Sequence, residues 1–123
     1  LCDFVLDPWP YGGHTTTADA LFCGVPAIVL EGCNFASRVS GGLLKAAGLE
    51  KLIAKDQDAY IKLAVELGNN KQALASIKTH LNRNRKRLPV FNAKHRTQQI
   101  ERAFLFAYNR FLENRPAVAV RVV

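Results

Sequence analysis

The chain has 123 residues, of which 49% are hydrophobic and 22% charged, and its formal net charge is +7 at pH 7. This length suits one small domain, since domains usually span roughly 100–200 residues, and the apolar content excludes a largely disordered chain. No run approaches the roughly 20 apolar residues that a membrane span requires. Because the chain begins at Leu1 and contains no Met, we expect a segment of a longer protein.

The charge is distributed unevenly along the chain. Residues 1–50 carry two basic and five acidic side chains, whereas residues 51–123 carry fifteen basic and five acidic ones. The first part contains most of the glycines and the short apolar runs, and the second part has helical periodicity. We therefore predict an α/β part over residues 1–55, a helical part over 56–112 and a tail over 113–123.

Apolar runs that alternate with glycine, proline and polar breaks predict a parallel sheet in the first part. Strands are predicted at residues 2–6, 27–30 and 52–54. Helices are predicted between them, at residues 16–22 and 35–47. Gly24 and Gly48 suit the ends of these helices, and Asn34 can cap the second. Gly41 and Gly42 each weaken that helix by roughly 1 kcal/mol, so we expect close packing there. The predicted fold class is α/β, a partial Rossmann-like parallel sheet followed by C-terminal helices.

The second part is predicted to be helical from its apolar spacing. Asp56 or Asp58 can cap a helix whose apolar face holds Ile61, Val65 and Leu67. The next helix carries apolar residues at Leu74, Ile77 and Leu81. A long last helix carries a broad stripe of Ile100, Phe104, Leu105, Ala107, Tyr108, Phe111 and Leu112. A stripe of this width is expected to pack against protein.

Cysteine and histidine spacing indicates no structural metal site. Cys2, Cys23 and Cys33 cannot all pair internally, and none of them forms a C-x-x-C motif. We expect these residues to be small buried side chains in a reducing compartment, which favours the cytoplasm.

The segment after the first strand is the candidate binding site. Gly12 and Gly13 lead into the hydroxyls of Thr15 and Thr16 at a predicted helix start. The glycines permit positive φ and a close backbone approach, and the unpaired amides of a helix N-terminus bind phosphate. Asp19 lies about one turn further on, where a carboxylate could accept hydrogen bonds from a ribose. Ligands of open parallel sheets bind beyond the carboxyl ends of the strands, where this loop lies.

A purely structural interpretation of the same residues stays open. Thr16 and Asp19 match a capping box, in which each side chain satisfies the other residue's backbone donor. His14 could be a nucleotide contact, a general base or a loop histidine.

Several motifs together resemble the C-terminal catalytic lobe of the protein O-GlcNAc transferase family. They are the string over residues 6–21, Gly-Val-Pro at 24–26, Ala-Ser-Arg-Val at 36–39, Leu-Ile-Ala-Lys at 52–55, Phe-Asn at 91–92 and the aromatic last helix. The resemblance covers residues 1–112. Its specificity lies in the combination of the His-Thr-Thr-x-x-Asp element with Ala-Ser-Arg-Val.

The resemblance implies a fold, an activity and a set of binding residues. The fold is GT-B, and the activity is transfer of N-acetylglucosamine from UDP-GlcNAc to Ser or Thr hydroxyls of intracellular proteins, without a required metal or cofactor. His14, Thr15 and Thr16 would meet the donor diphosphate, with Gly13 as a further candidate, and Asp19 would hold the ribose. Helix amides would stabilise the departing diphosphate.

The resemblance also implies that important parts lie upstream of Leu1. These are the N-terminal lobe, the uracil contacts, a basic residue on the diphosphate, the acid/base residues and, in many members, tetratricopeptide repeats. No catalytic residue is therefore assigned in this chain, and we expect the chain alone to transfer no sugar. Related branches donate fucose or glucose, so the sugar stays open. Trp9 and Tyr11 could line the sugar or acceptor path, or cover the sheet edge.

A basic stretch offers an alternative function as a helical binding module without catalysis. Its members are Lys78, His80, Arg83, Arg85, Lys86, Arg87, Lys94, His95 and Arg96. Such a stretch could bind nucleic acid or anionic lipid. Aromatic residues are not interleaved with the charges as a base-stacking platform requires. We therefore favour a solvated helix face and expect neither nucleic acid nor a membrane as partner.

Overall fold

A computed structural model describes residues 2–120 and contains a small parallel sheet with helices around it. The strands are β1 (Val5–Leu6), β2 (Ala27–Leu30) and β3 (Ile53–Ala54). They lie in the order β1-β2-β3, with Val5 opposite Ala27 and Val29 opposite Ile53. The predicted α/β class with a parallel sheet is confirmed.

Five α-helices complete the described part of the chain. They are α1 (Thr15–Phe22), α2 (Val39–Ala46), α3 (Gln57–Asn69), α4 (Lys71–Asn84) and α5 (Ala93–Leu112), with short 3-10 turns at Glu50–Leu52 and Pro89–Phe91. The chain divides into two compact units, with the division in the sequence between Phe91 and Asn92. Within residues 2–120, none of the helices combines the length with the hydropathy that a bilayer span needs.

The core of the first unit is built around the central strand. Ala27, Ile28 and Val29 of β2 are completely buried, as expected for a parallel strand covered on both faces. Each of the four helices of this unit contributes a buried leucine to the same cluster. These residues are Leu21, Leu44, Leu67 and Leu81. The predicted apolar face of α4 is confirmed, since Leu74 and Ile77 also pack against this core.

Glycine and polar caps set several helix ends where the sequence predicts them. Gly24 and Gly48 follow α1 and α2 with φ of +79° and +71°, a backbone conformation that glycine adopts without strain. Asp56 caps α3, because its side chain accepts a hydrogen bond from the Ala59 amide at 2.8 Å. Of the two acidic residues that could cap this helix, Asp56 is therefore the one that does.

The predicted apolar face of α3 is wrong at two of its three positions. Ile61 and Val65 are 60% and 57% exposed, whereas Leu67 is buried. The packed residues are Tyr60, Leu63, Ala64 and Leu67. These four follow the i, i+3, i+4, i+7 spacing of one helix face. Ile61 and Val65 each lie one residue beyond a packed position and therefore point away from the core.

Several element boundaries also differ from the prediction. Strand β1 is confined to Val5–Leu6, and the 3-10 turn takes Leu52 out of the third strand. Helix α2 begins at Val39 instead of residue 35, since Asn34 accepts hydrogen bonds from both the Ser37 amide and its hydroxyl and closes a separate turn.

The two glycines of α2 have different surroundings. A Cβ added to Gly41 would lie 2.8 Å from Oε1 of Glu31, so the expected close packing is confirmed there. A Cβ added to Gly42 would meet no atom within 4 Å, so the expectation is wrong at that position. The expectation of buried cysteines is also wrong, because Cys2, Cys23 and Cys33 are all exposed.

The second unit contains α5 and the segment that follows it. Asn92 caps α5 by accepting a hydrogen bond from the His95 amide at 3.0 Å. The apolar stripe is exposed, with Phe104 at 70%, so the expected packing of this face is absent from the described residues. Residues 113–120 form no helix or strand, and the guanidinium of Arg110 donates to the Pro116 carbonyl. The last residues of the predicted tail, 121–123, lie outside the described residues.

Candidate donor-binding site

The site is built on the loop between β1 and α1, which a buried carboxylate organises. Asp7 directly follows β1 and is only 3% exposed. Its Oδ1 accepts hydrogen bonds from the Gly13 amide at 3.0 Å and from the Thr17 hydroxyl at 2.7 Å. The loop therefore folds back on the strand end and delivers the chain to the start of α1.

The two glycines of this loop are required by space rather than by backbone conformation. A Cβ on Gly12 would lie 2.8 Å from Oδ2 of Asp7, and a Cβ on Gly13 would lie 2.9 Å from Oδ1. Both distances are shorter than real Cβ contacts allow. Neither glycine has positive φ, so the expectation of positive φ is wrong, and the close backbone approach is made to Asp7.

Further hydrogen bonds fix the loop to neighbouring helices. The Ser40 hydroxyl of α2 donates to the Gly13 carbonyl, and the Gly12 amide donates to the Ala36 carbonyl at 3.2 Å. The Tyr60 hydroxyl of α3 donates to the Asp7 carbonyl at 2.9 Å. Burial raises the pKa of Tyr60, and the charge of Asp7 adds to this effect. Tyr60 therefore keeps its proton and remains a donor at neutral pH.

The N-terminus of α1 carries no side-chain cap. The helix begins at Thr15, with His14 as the N-cap residue, and the His14 side chain accepts no hydrogen bond from the first amides of the helix. The predicted capping box is therefore wrong, because Thr16 is the second helical residue and cannot occupy the N-cap position. Thr15 and Thr16 are both exposed. Their amides lie where a helix has no internal acceptors for them.

His14 lies in an aromatic cluster beside this helix start. Its ring stacks on Tyr11, with centroids 5.3 Å apart, and meets the edge of Phe35 at 5.8 Å. Its Nε2 is buried and has no hydrogen-bond partner in the described structure. A buried nitrogen without a partner is uncommon and is costly unless something binds it. Tyr11 therefore supports the His14 ring, and both interpretations of its role stay predictions.

The remaining predicted residues take separate positions. Asp19 is exposed and lies one helical turn after Thr15, so the two residues share a face of α1. The Gly13 amide is already donated to Asp7. The structure thus places His14, Thr15 and Thr16 at the N-terminus of α1 and Asp19 one turn further along the face of Thr15, and it uses the Gly13 amide inside the loop.

A cleft of about 510 Å³ lies beside this loop at the carboxyl edge of the sheet. Trp9 forms one wall, and the residues after β2 and β3 form the others. The polar lining residues are Glu31, Asn34, Ser37, Lys55, Asp56 and Gln57. Trp9 therefore lines an open cleft, and its assignment to the sugar or acceptor path stays a prediction.

The basic stretch is partly engaged in contacts of its own unit. Lys78 forms an ion pair with Asp3 at 2.8 Å, and its hydrogen bond, aided by its charge, lowers the pKa of that carboxyl. The guanidinium of Arg85 lies over the Phe22 ring, 5.0 Å from its centroid, and donates to Asn82. Both contacts fit a solvated helix face.

Asp7, Thr17 and Ser40 are the residues that sequence reasoning missed. All three are polar and almost completely buried. One sequence signal could have pointed to Asp7 and Thr17: a polar residue at a strand end, followed by paired glycines and a run of threonines. The partners of Asp7 lie 6, 10 and 53 residues away in the chain, so only the fold brings them together.

Comparison with known proteins places the chain in a family. The family model described as glycosyl transferase family 41 matches residues 1–100. A probable UDP-N-acetylglucosamine–peptide N-acetylglucosaminyltransferase of Petunia hybrida, SPINDLY, is 33% identical over 113 residues, which cover 92% of this chain and 12% of the relative. The corresponding SEC protein of Arabidopsis thaliana is 34% identical over 110 residues, 89% of this chain and 11% of the relative.

A solved structure agrees with the sequence matches. A mutant O-GlcNAc transferase of Thermobaculum terrenum superimposes with a TM-score of 0.74 at 37% identity, covering 83% of this chain and 20% of that protein. The chain thus spans about an eighth of the length of the curated relatives. The resemblance inferred from the loop and the Ala-Ser-Arg-Val motif is confirmed: the chain belongs to glycosyl transferase family 41.

Proposed function

We propose that this chain forms the donor-binding part of an enzyme that transfers N-acetylglucosamine from UDP-GlcNAc to Ser or Thr hydroxyls of proteins. The observation that carries the proposal is the uncapped N-terminus of α1, held by a buried loop at the carboxyl end of β1. The printed names of the relatives, which state a UDP-GlcNAc donor and a peptide acceptor, support the same choice.

The proposal gives each site residue a role in holding the donor. The diphosphate accepts hydrogen bonds from the first amides of α1 and from the hydroxyls of Thr15 and Thr16. His14 contributes a ring nitrogen, and Asp19 accepts hydrogen bonds from the ribose. The side chains of Thr15, Thr16 and Asp19 are exposed, which is compatible with these roles.

The chemistry that these residues supply is stabilisation of the leaving group. When the sugar leaves UDP, negative charge develops on the diphosphate, and amides fixed at a helix N-terminus offset that charge without reorganising. The proposal therefore requires no metal and no cofactor. The acid/base groups, the acceptor contacts and the second lobe are assigned to the rest of the longer protein, which we expect to act in the cytoplasm.

The test is a titration of the isotope-labelled chain with UDP, followed by the amide NMR resonances. We expect UDP to shift resonances between Gly13 and Asp19, inorganic pyrophosphate to shift those of Thr15 and Thr16, and uridine to have little effect. UDP-GlcNAc, UDP-glucose and GDP-fucose are compared in the same way to rank the sugars. Shifts confined to residues 78–96 would contradict the proposal and favour the basic binding module. We also expect no turnover by the chain alone.

A further inference from the structure

We propose that Asp7 is the positioning residue of this donor site. Its carboxylate holds the chain on both sides of the segment His14–Thr16, so that the first amides of α1 stay directed at the ligand. This inference rests on the proposed function and extends it to a residue that touches no substrate.

The two hydrogen bonds that the Asp7 carboxylate accepts come from either side of the segment His14–Thr16. Gly13 immediately precedes the segment and Thr17 immediately follows it, and both donate to the same oxygen, Oδ1 of Asp7. The carboxylate therefore connects the two ends of a three-residue turn. A single fixed acceptor in this position sets the path of the turn, and with it the direction of the amides at the helix start.

The second argument is the environment of the carboxylate. Asp7 is 3% exposed, and among the described residues it forms no ion pair with a lysine, arginine or histidine. Burying a carboxylate without a cation is costly, so its hydrogen bonds must offset that cost. The loop backbone also fits closely around it, because a Cβ on either Gly12 or Gly13 would collide with a carboxylate oxygen.

The third argument is that the two halves of Asp7 make separate contacts. Its carboxylate binds the loop, whereas its backbone carbonyl accepts the Tyr60 hydroxyl from α3. A change at Thr17 therefore removes a contact of the carboxylate, and a change at Tyr60 removes a contact of the carbonyl. The second change leaves the turn at the helix start intact, which makes it a matched control.

The experiment measures UDP affinity by NMR titration of the chain for four variants and the wild type. Thr17→Val removes the hydroxyl and keeps the volume, Thr17→Ser keeps the hydroxyl, and Tyr60→Phe is the control. Asp7→Asn is a second disruption of the same contacts. We expect Thr17→Val and Asp7→Asn to weaken UDP binding about tenfold, within the range for a hydrogen bond to a charged group, and Thr17→Ser and Tyr60→Phe to stay within about twofold of wild type.

A second readout follows the turn without any ligand. Hydrogen exchange of the Gly13 amide should be slow in the wild type, in Thr17→Ser and in Tyr60→Phe, and faster in Asp7→Asn. A role in stability alone would give a loss of UDP affinity that follows the unfolding free energy, with Tyr60→Phe weakened as much as Thr17→Val.

Three outcomes overturn the inference. They are wild-type affinity in folded Thr17→Val and Asp7→Asn, no rescue by Thr17→Ser, or unfolding of both disrupting variants. Failure of the proposed function is recognised separately, because it shows in the wild type as the absence of UDP shifts between Gly13 and Asp19. In that case the exchange of the Gly13 amide still decides whether Asp7 holds the turn.

Discussion

Two loops at the same edge of the sheet are held in place by different kinds of hydrogen bond. The loop over residues 7–14 follows β1 and leads into α1, and the loop over residues 31–38 follows β2 and leads into α2. The first loop is held from within the core by Asp7. The second is closed locally by Asn34, which accepts two hydrogen bonds from Ser37.

The difference lies in how far away the side chain that fixes each loop finds its partners. Asn34 satisfies donors of its own turn with its own side chain. Asp7 instead anchors the flanks of its turn and leaves the first amides of α1 without a side-chain acceptor. The first loop is thus fixed by contacts across the fold and the second by contacts within its own turn, and four experiments test this distinction.

The largest effect is expected from Gly13→Ala in the first loop. The added methyl would meet Oδ1 of Asp7 at 2.9 Å and the Thr16 hydroxyl at 2.7 Å, so overpacking should cost about 1–3 kcal/mol of unfolding free energy. UDP binding should weaken with it. Gly42→Ala is the matched control: it has open space in α2 and should stabilise the chain by about 0.5–1 kcal/mol. Chemical denaturation measures both, and equal stability of the two variants would contradict this description of the loop.

The next effect is expected from Asp19→Ala, which tests the ligand face of the first loop. The side chain is exposed, so the unfolding free energy should not change, but UDP affinity should fall by about 1–3 kcal/mol. A UDP analogue that lacks the ribose hydroxyls should bind wild type and variant equally. If the variant bound UDP like the wild type, Asp19 would have no part in the donor site.

A change in the second loop should lower the unfolding free energy and leave UDP affinity unchanged, the opposite of what is expected for Asp19→Ala. Asn34→Ala removes the acceptor of the Ser37 amide and hydroxyl, so it should lower the unfolding free energy by about 1 kcal/mol. UDP affinity should stay unchanged, because none of the residues proposed to hold the donor lies in this loop. A marked loss of UDP affinity in a folded Asn34→Ala chain would remove the functional distinction between the loops.

The smallest effect concerns the pH dependence of the first loop. Burial, aided by the charge of Asp7, raises the pKa of Tyr60 above its usual value of about 10. The stability that protonated Tyr60 contributes is therefore complete below the pKa of Tyr60 in the unfolded chain. It is lost as the pH rises through the higher pKa of Tyr60 in the folded chain. Tyr60→Phe should lose less stability than wild type over that alkaline range. Identical alkaline profiles would show that folding does not raise the pKa of Tyr60.

The sequence was sufficient to predict the local elements whose signals lie within a few residues. The bounds of β2 at Ala27–Leu30 agree with the prediction, and the glycines after α1 and α2 end those helices. The family could also be inferred, because the loop and the Ala-Ser-Arg-Val motif together form a specific pattern. These features depend on propensity, punctuation and short motifs, which are properties of the chain itself.

Features that depend on contacts across the fold could not be predicted in the same way. The inner face of α3 is decided by its docking against β2, which selects Leu63 and Ala64 over the more hydrophobic Ile61 and Val65. The capping box fitted the spacing of Thr16 and Asp19, but Asp7 holds Thr17 and Gly13 from a distant strand end and shifts the helix start to Thr15. In both cases a tertiary contact overrode a local pattern.

The most direct measurement of the central claim is a crystal structure of the chain with UDP bound. The account predicts the diphosphate within hydrogen-bond distance of the Thr15 and Thr16 amides, the ribose beside Asp19, and the Asp7 contacts to Gly13 and Thr17 intact. UDP bound elsewhere on the chain, with the first turn of α1 making no contact to phosphate, would contradict it.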